Sequence, residues 1–162
     1  MEYLFLRRRP KSSISERQKQ PLSKAVEKQW KEDFVRKGVE GRKMDLEIYK
    51  SLLYQLEIRM VFLDASLSLK KLSTLVGTNQ TYMSNVVNRY FGCNMNGVIN
   101  TYRIEYAKEL LRSGKCLIKD ISERCGFASK SAFYSAFRKI TGYRPVEYVR
   151  RNGVEEKFGK NN

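Results

Sequence analysis

Histidine is absent from this 162-residue chain. That gap removes the commonest metal ligand, the Ser/His and Cys/His nucleophile pairs, and imidazole acid–base chemistry. Cysteine is scarce: Cys93, Cys116 and Cys125 are odd in number, and their spacing fits no zinc pattern. Cys125 shares an apolar helical phase with Ile118 and Ile121, so packing is its expected role. Free thiols fit a reducing cytoplasm. No apolar run approaches the roughly 20 residues that span a bilayer. The N-terminal MEYLFLRRR also lacks the apolar core of a signal peptide. Paired carboxylates, a phosphate-cradling Gly-rich loop and metal-ligand clusters are all missing. No catalytic residue, metal or cofactor is therefore expected, and nothing supports an enzyme. Acidic residues are the minority, 17 against 32 Lys+Arg, which leaves a net charge of +15. Such a balance suits a polyanionic partner, nucleic acid or an acidic membrane surface. Most of the excess lies between Asp64 and Arg151.

What is present is helical periodicity, written twice. Asp45 suits an N-cap, and Leu46, Tyr49, Leu52, Leu53, Leu56 and Met60 then hold one helix face. After a turn over Phe62–Ser66, Ser68 caps a helix from Leu69 to Val76, and Gly77 turns the chain. Thr78 or Asn79 caps the next helix, which runs to Tyr90 with Met83, Val86 and Val87 inward, and Gly92 closes it. Further on, Ile118, Ile121 and Cys125 predict a short helix ended by Gly126. Ser129 caps another, with Phe133, Phe137 and Ile140 as its inward face. Gly142 ends that helix and Pro145 starts one more. Leu69, Leu72, Val76 and Gly77 align with Ile118, Ile121, Cys125 and Gly126 at one constant offset. Met83, Val87, Gly92 and Val98 align with Phe133, Phe137, Gly142 and Tyr148 at an offset one residue longer. The chain thus repeats a helix, a Gly-containing turn and a second helix, the outline of a helix-turn-helix. Val98 to Leu111 joins the copies as a helix with Ile99, Tyr102, Ile104, Ala107, Leu110 and Leu111 on its apolar face. Arg103, Glu105, Lys108 and Glu109 are expected on its wet face. Phe91, Phe127, Phe133, Phe137 and Tyr148 have the spacing of core faces, not of a stacking platform for single strands.

The outer face of each second helix is unusual. The first shows Asn79, Gln80, Thr81, Ser84, Asn85, Asn88 and Arg89; the second shows Ser129, Lys130, Ser131, Tyr134, Ser135 and Arg138, with Lys139 and Arg144 beside it. Ordinary solvated helices favour Lys and Glu, yet these faces hold amides, hydroxyls and bases, and no acid. Amides pair bidentately with adenine, and arginine with guanine or phosphate, so double-stranded DNA is the expected partner.

The stretch GFASKSAFYSAFRKITGYRPVEYVR resembles the C-terminal signature of the AraC/XylS family of bacterial transcription regulators. Gly126-Phe127, Phe133, Phe137, Gly142, Pro145 and Tyr148 carry the likeness. The upstream SLKKLSTLVGTNQTYMSNVVNRYFGCNMNGVINTYRIEYAKELL resembles the family's first helix-turn-helix and the start of its linker helix, so the likeness covers about Leu63 to Arg151. It implies an all-α fold of two homeodomain-like helix-turn-helix subdomains joined by a long linker helix. It further implies base contacts at Thr81, Ser84 and Asn85 in the first copy, where some relatives carry longer side chains. In the second copy they fall on Lys130, Ser131, Tyr134 and Ser135, with Arg138, Lys139 and Arg144 as phosphate neighbours. Two reading heads held by the linker would meet major-groove segments about one turn of duplex apart, roughly 34 Å. The resemblance also implies a bacterial, cytoplasmic regulator with RNA polymerase as a partner.

The expected domains are a basic, partly helical extension over 1–44, the tandem domain over 45–151 and a disordered tail over 152–162. Within the extension, Pro10–Pro21 reads as linker, and Val26, Trp30 and Phe34 make one narrow helical stripe. The arginines after Leu4, Phe5 and Leu6 fit either a basic disordered terminus or the cytoplasmic flank of a membrane helix. In the second case a missing N-terminal segment would supply the only membrane contact. The chain would then be the output module of a larger membrane or sensor protein. Residues 1–44 are too short and polar to build a sensory domain of their own.

Overall fold

The structure, a computed structural model, describes residues 43–114 and 116–151 together with Lys28, Lys31 and Glu32. Those three are helical, and Lys28 Nζ lies 4.0 Å from the Glu32 carboxylate. The expectations for Met1–Arg9, for Pro10–Pro21, for the Val26, Trp30 and Phe34 stripe and for the 152–162 tail lie outside the described residues. From Lys43 onward the elements are α1 (Lys43–Leu53) with a π-turn (Tyr54–Ile58), a 3-10 turn (Val61–Leu63), α2 (Leu69–Val76) and α3 (Gln80–Phe91). They continue with α4 (Met95–Arg112), α5 (Ile121–Arg124), α6 (Lys130–Thr141) and α7 (Pro145–Arg151). The fold is all-α, with no strand among the described residues.

The chain divides into two compact units. The described part of the first is Lys28, Lys31, Glu32 and 43–61 with Ser68–Met95; that of the second is Phe62–Leu67 with 96–114 and 116–151. In the first unit, α1 buries Ile48, Tyr49, Leu52 and Leu53, and Leu56 follows in the π-turn. α2 adds Leu72, and α3 adds Met83, Val86, Val87 and Tyr90. Tyr49 packs edge-on against Tyr90, ring centroids 5.9 Å apart, and meets Phe91 at 5.5 Å. Ser68 Oγ accepts from Lys71 N–H at 3.2 Å, and Asn79 Oδ1 accepts from Tyr82 N–H at 2.8 Å. Each such cap is worth about 1 kcal/mol and fixes where its helix begins. Two expectations are corrected here. Asp45 is not the N-cap of α1; it lies inside the first turn and is buried. Met60 is not on the helix, because the chain leaves α1 through the π-turn and Met60 takes a left-handed φ of 50°.

The second unit buries Ile104, Ala107, Leu110, Leu111, Cys116, Ile121, Cys125, Phe127, Phe133, Ala136, Phe137, Tyr148 and Val149 in one cluster. Its aromatic rings run in a chain of edge contacts: Phe127 to Phe133 at 5.4 Å, Phe133 to Phe137 at 5.5 Å, Phe137 to Tyr148 at 5.5 Å. Each contact adds about 0.5–1.5 kcal/mol beyond its buried area. The thiols of Cys116 and Cys125 are free, and burial pushes both pKa values up, that of Cys125 to about 12.

Arg103 was expected on the wet face of α4 and is instead buried. Its Nε donates to the Phe62 carbonyl at 2.7 Å and its Nη2 to the Asp64 carbonyl at 2.9 Å, and its guanidinium lies over the Phe127 ring at 5.3 Å. Burial lowers its pKa, and the Asp64 charge opposes that shift. This clamp explains why Phe62–Leu67, which lies in sequence between helices of the first unit, belongs to the second. Gly126 seals the same place: a Cβ there would sit 2.6 Å from the carbonyl oxygens of both Phe62 and Leu63. Ile140, expected inward, is instead exposed; Ala136, one turn earlier, is buried in its stead. The helix expected from Ile118 is only the single turn α5, because Ile118 to Asp120 form a separate turn before it.

Candidate nucleic-acid interface

α3 carries its amide and hydroxyl face because Met83, Val86, Val87 and Tyr90 claim the opposite side for the core. Asn79, Gln80, Thr81, Asn85, Asn88 and Arg89 are exposed, and Ser84 is half-buried among them. α6 repeats the arrangement behind Phe133, Ala136 and Phe137. Ser129, Lys130, Ser131, Tyr134, Ser135, Arg138, Lys139 and Arg144 are all exposed. Ser129 Oγ accepts from Ala132 N–H at 3.2 Å, so this residue and Asn79 serve as N-caps at the start of their faces. The Tyr134 ring packs edge-on against Phe133 at 5.6 Å, which holds an exposed phenol at a fixed angle. The Arg144 backbone N–H donates to Glu147 at 2.9 Å, leaving its guanidinium outside that bond. Neither α3 nor α6 contains an acid.

One acid nevertheless reaches α3. Asp45 of α1 accepts from the Tyr82 hydroxyl at 2.6 Å, from Arg89 Nη1 at 2.6 Å and from the Tyr90 hydroxyl at 2.8 Å. The carboxylate is 1% exposed, while the Arg89 side chain is 40% exposed. Burial alone would raise the Asp45 pKa; the hydrogen bonds from Tyr82 and Tyr90 and the Arg89 charge outweigh it and leave the pKa below the ordinary carboxylate value. Burial and the Asp45 bond push Tyr90 up to about 12. Asp45 was absent from the expected site, although its signal was present. It precedes Ile48, Tyr49 and Leu52 in the phase of the apolar stripe, and a carboxylate in that phase needs partners.

A family described as a helix-turn-helix domain matches residues 72–151. An uncharacterised HTH-type transcriptional regulator of Staphylococcus aureus is 35% identical over 82 residues, which are 51% of this chain and 11% of that protein. The melibiose operon regulatory protein of Escherichia coli (strain K12) is 32% identical over 85 residues, 52% of this chain and 28% of that protein. The C-terminal domain of AraT, a response regulator from Geobacillus stearothermophilus, has a similar fold, with a TM-score of 0.58 at 26% identity over 65% of this chain and 84% of that one. The chain carries an AraC-type helix-turn-helix domain.

The matched residues of this AraC-type domain include both α3 and α6, the helices that carry the acid-free faces. The chain spans no more than 28% of the length of either of these curated relatives. Among the expected contact residues, Arg89 alone is tied to a buried acid. Lys130, Arg138, Lys139 and Arg144 make no ion pair of 4.0 Å or less among the described residues and leave their charge to solvent. No helix among the described residues is long and apolar enough to cross a membrane.

Proposed function

We propose that this chain binds double-stranded DNA at preferred sequences and regulates transcription from there. The observation that carries the reading is a pair of acid-free helix faces, each exposed behind a buried core and each rich in groups that bond base edges. In this mechanism α3 and α6 each enter a major groove. Thr81, Ser84, Asn85, Lys130, Ser131, Tyr134 and Ser135 read bases, and Asn79, Gln80, Asn88 and Ser129 support them at the groove edge. Arg138, Lys139 and Arg144 fix the register on phosphates. The domain family is a class of regulators rather than enzymes. Regulation of this kind implies RNA polymerase as a further partner and the cytoplasm as the place of action.

The test is selection of bound duplexes from a random pool, followed by a base-by-base affinity scan with wild type, Asn85→Ala and Lys130→Ala. Both residues are exposed, so each change should shift stability by under about 0.5 kcal/mol. Each should relax preference at its own few base pairs, with a loss of about 1–3 kcal/mol where a good contact existed. Unchanged preferences in folded variants, or both variants altering the same base pairs, would refute the assignment.

A further inference from the structure

A buried carboxylate is an expensive way to join two helices. Removing it from water costs several kcal/mol, and a buried ion pair commonly does no better than well-packed apolar residues of similar size. A leucine at position 45 would extend the stripe of Ile48, Tyr49 and Leu52 directly. Stability alone therefore does not account for Asp45. Its distinguishing property is where its donors come from. All three, Tyr82, Arg89 and Tyr90, belong to α3, and they span two turns of the helix that carries the amide face. Such a set fixes both the rotation and the axial position of α3 against α1. Arg89 donates through Nη1 to Asp45 and its side chain also hydrogen-bonds Tyr90, yet it stays 40% exposed, so part of its five-donor fork remains available. At one turn beyond Asn85, it flanks the face expected to enter the groove.

We propose that Asp45 is a positioning residue for DNA binding: it holds the Arg89 guanidinium at the edge of the α3 face, so that this arginine delivers a directed contact to a backbone phosphate instead of a free charge. The inference rests on the DNA-binding reading above. An arginine tethered in this way has already lost rotamer freedom, which a free side chain would lose only on meeting the phosphate. The second copy supplies an internal control. Lys139 aligns with Arg89, is exposed, and makes no ion pair of 4.0 Å or less among the described residues.

The experiment is a double-mutant cycle on affinity for the duplex selected from the pool, read at several salt concentrations with thermal unfolding of every variant alongside. The proteins are wild type, Asp45→Asn, Arg89→Ala, Arg89→Lys and the Asp45→Asn/Arg89→Ala double variant. Asp45→Asn and Arg89→Ala should each weaken binding about tenfold, the scale of one charge-assisted hydrogen bond, and the double variant should be no weaker than either. Arg89→Lys keeps the charge but not the fork, and should resemble Arg89→Ala. Lys139→Ala should cost the same factor with or without Asp45. Three results would overturn the proposal: Asp45→Asn binding as tightly as wild type or more tightly with a steeper salt slope, Arg89→Lys retaining full affinity, or losses that multiply in the double variant. If Asp45→Asn does not fold, Tyr82→Phe replaces it in the cycle. Weakening confined to the Arg89 background supports positioning, and equal weakening without Arg89 overturns it. A wild-type protein that binds no duplex would sink the function reading itself, whereas a binding wild type with any overturning pattern sinks only the role of Asp45.

Discussion

Replacing Gly126 by alanine isolates one contact that holds the second unit together. The residue sits at φ 77°, and the added Cβ would lie 2.6 Å from the carbonyl oxygens of Phe62 and Leu63 and 2.7 Å from the Leu63 carbonyl carbon. These are backbone atoms, and the Phe62 carbonyl is already held by Arg103 Nε at 2.7 Å, so that oxygen cannot turn aside cheaply. Two costs add. The left-handed conformation costs an L-residue about 1–2 kcal/mol, and forced overpacking typically costs about 1–3 kcal/mol. The sum is roughly 2–5 kcal/mol. Gly142 separates the two: its φ is 80°, in the same unit, but a Cβ there meets nothing within 4 Å. Gly142→Ala should therefore show the conformational cost alone. Urea unfolding of both variants at one temperature gives the difference, with equal m-values as the check that only stability changed. Gly126→Ala should be the less stable by about 1–3 kcal/mol, the steric share of the cost. If the two variants unfold together, the packing of Phe62–Leu67 on Gly126 is not what holds that segment in the second unit.

Phe133→Ala removes a fully buried ring that touches Phe127, Phe137 and Tyr134, and should cost about 3–5 kcal/mol, with DNA binding falling alongside thermal stability; loss of binding at full stability would put Phe133 on the surface instead. Affinity for duplex should fall steeply with salt, and alanine at Arg138, Lys139 or Arg144 should each lower the slope by about one while weakening all sequences alike; a flat dependence would count against phosphate contact. The lowered pKa of Asp45 contributes stability that is present above the unfolded carboxylate value of about 3.9 and is lost as pH falls through the folded value. Urea midpoints of Asp45→Asn should accordingly change less below about pH 4 than those of wild type. Tyr90, at about 12 against 10.0 unfolded, keeps its proton longer when folded, so its contribution is lost as pH rises from 10.0 toward 12; Tyr90→Phe should flatten that alkaline limb, and an unchanged limb would refute the assignment.

The helices and their faces were legible because they depend on local chemistry. Ser68, Asn79 and Ser129 cap where their positions predict, and Met83, Val87, Phe133 and Phe137 are buried at the expected spacing. The errors share one cause. Arg103 and Asp45 were read by charge, as a wet-face residue and a cap. Each is buried because partners far away in sequence satisfy it: two carbonyls for Arg103, and two phenols with a guanidinium for Asp45. Periodicity tells which way a side chain points, but not whether a distant group waits there. Ile140 shows the reverse, since it has the inward phase yet is left 37% exposed. The assignment of Phe62–Leu67 to the second unit was likewise invisible, because it depends on Arg103 and Gly126 together.

The two copies present similar faces on different supports, and the repeat alignment shows where they diverge. Met83 and Val87 of the first copy correspond to Phe133 and Phe137 of the second, and all four are fully buried. Larger rings in the second copy complete a core with Phe127 and Tyr148, and no carboxylate belongs to that cluster. In the first copy the smaller pair is supplemented by Tyr49, Phe91 and the Asp45 clasp. Tyr82, Arg89 and Tyr90, which hold Asp45, align with Ala132, Lys139 and Ile140. Alanine and isoleucine offer no donor, so the second copy has no means of repeating the clasp. Apolar support responds little to pH or salt, whereas a carboxylate held by an arginine and two phenols responds to protonation at both extremes. The first face is therefore the one whose geometry depends on an ionised group, and its arginine is bound into that dependence. A loss of base preference below about pH 4 should appear first in the base pairs assigned to Asn85 and only later in those assigned to Lys130. The base-by-base scan, repeated as pH is lowered through that value, reads this order directly, and simultaneous loss at both clusters would show that the clasp does not govern the first face.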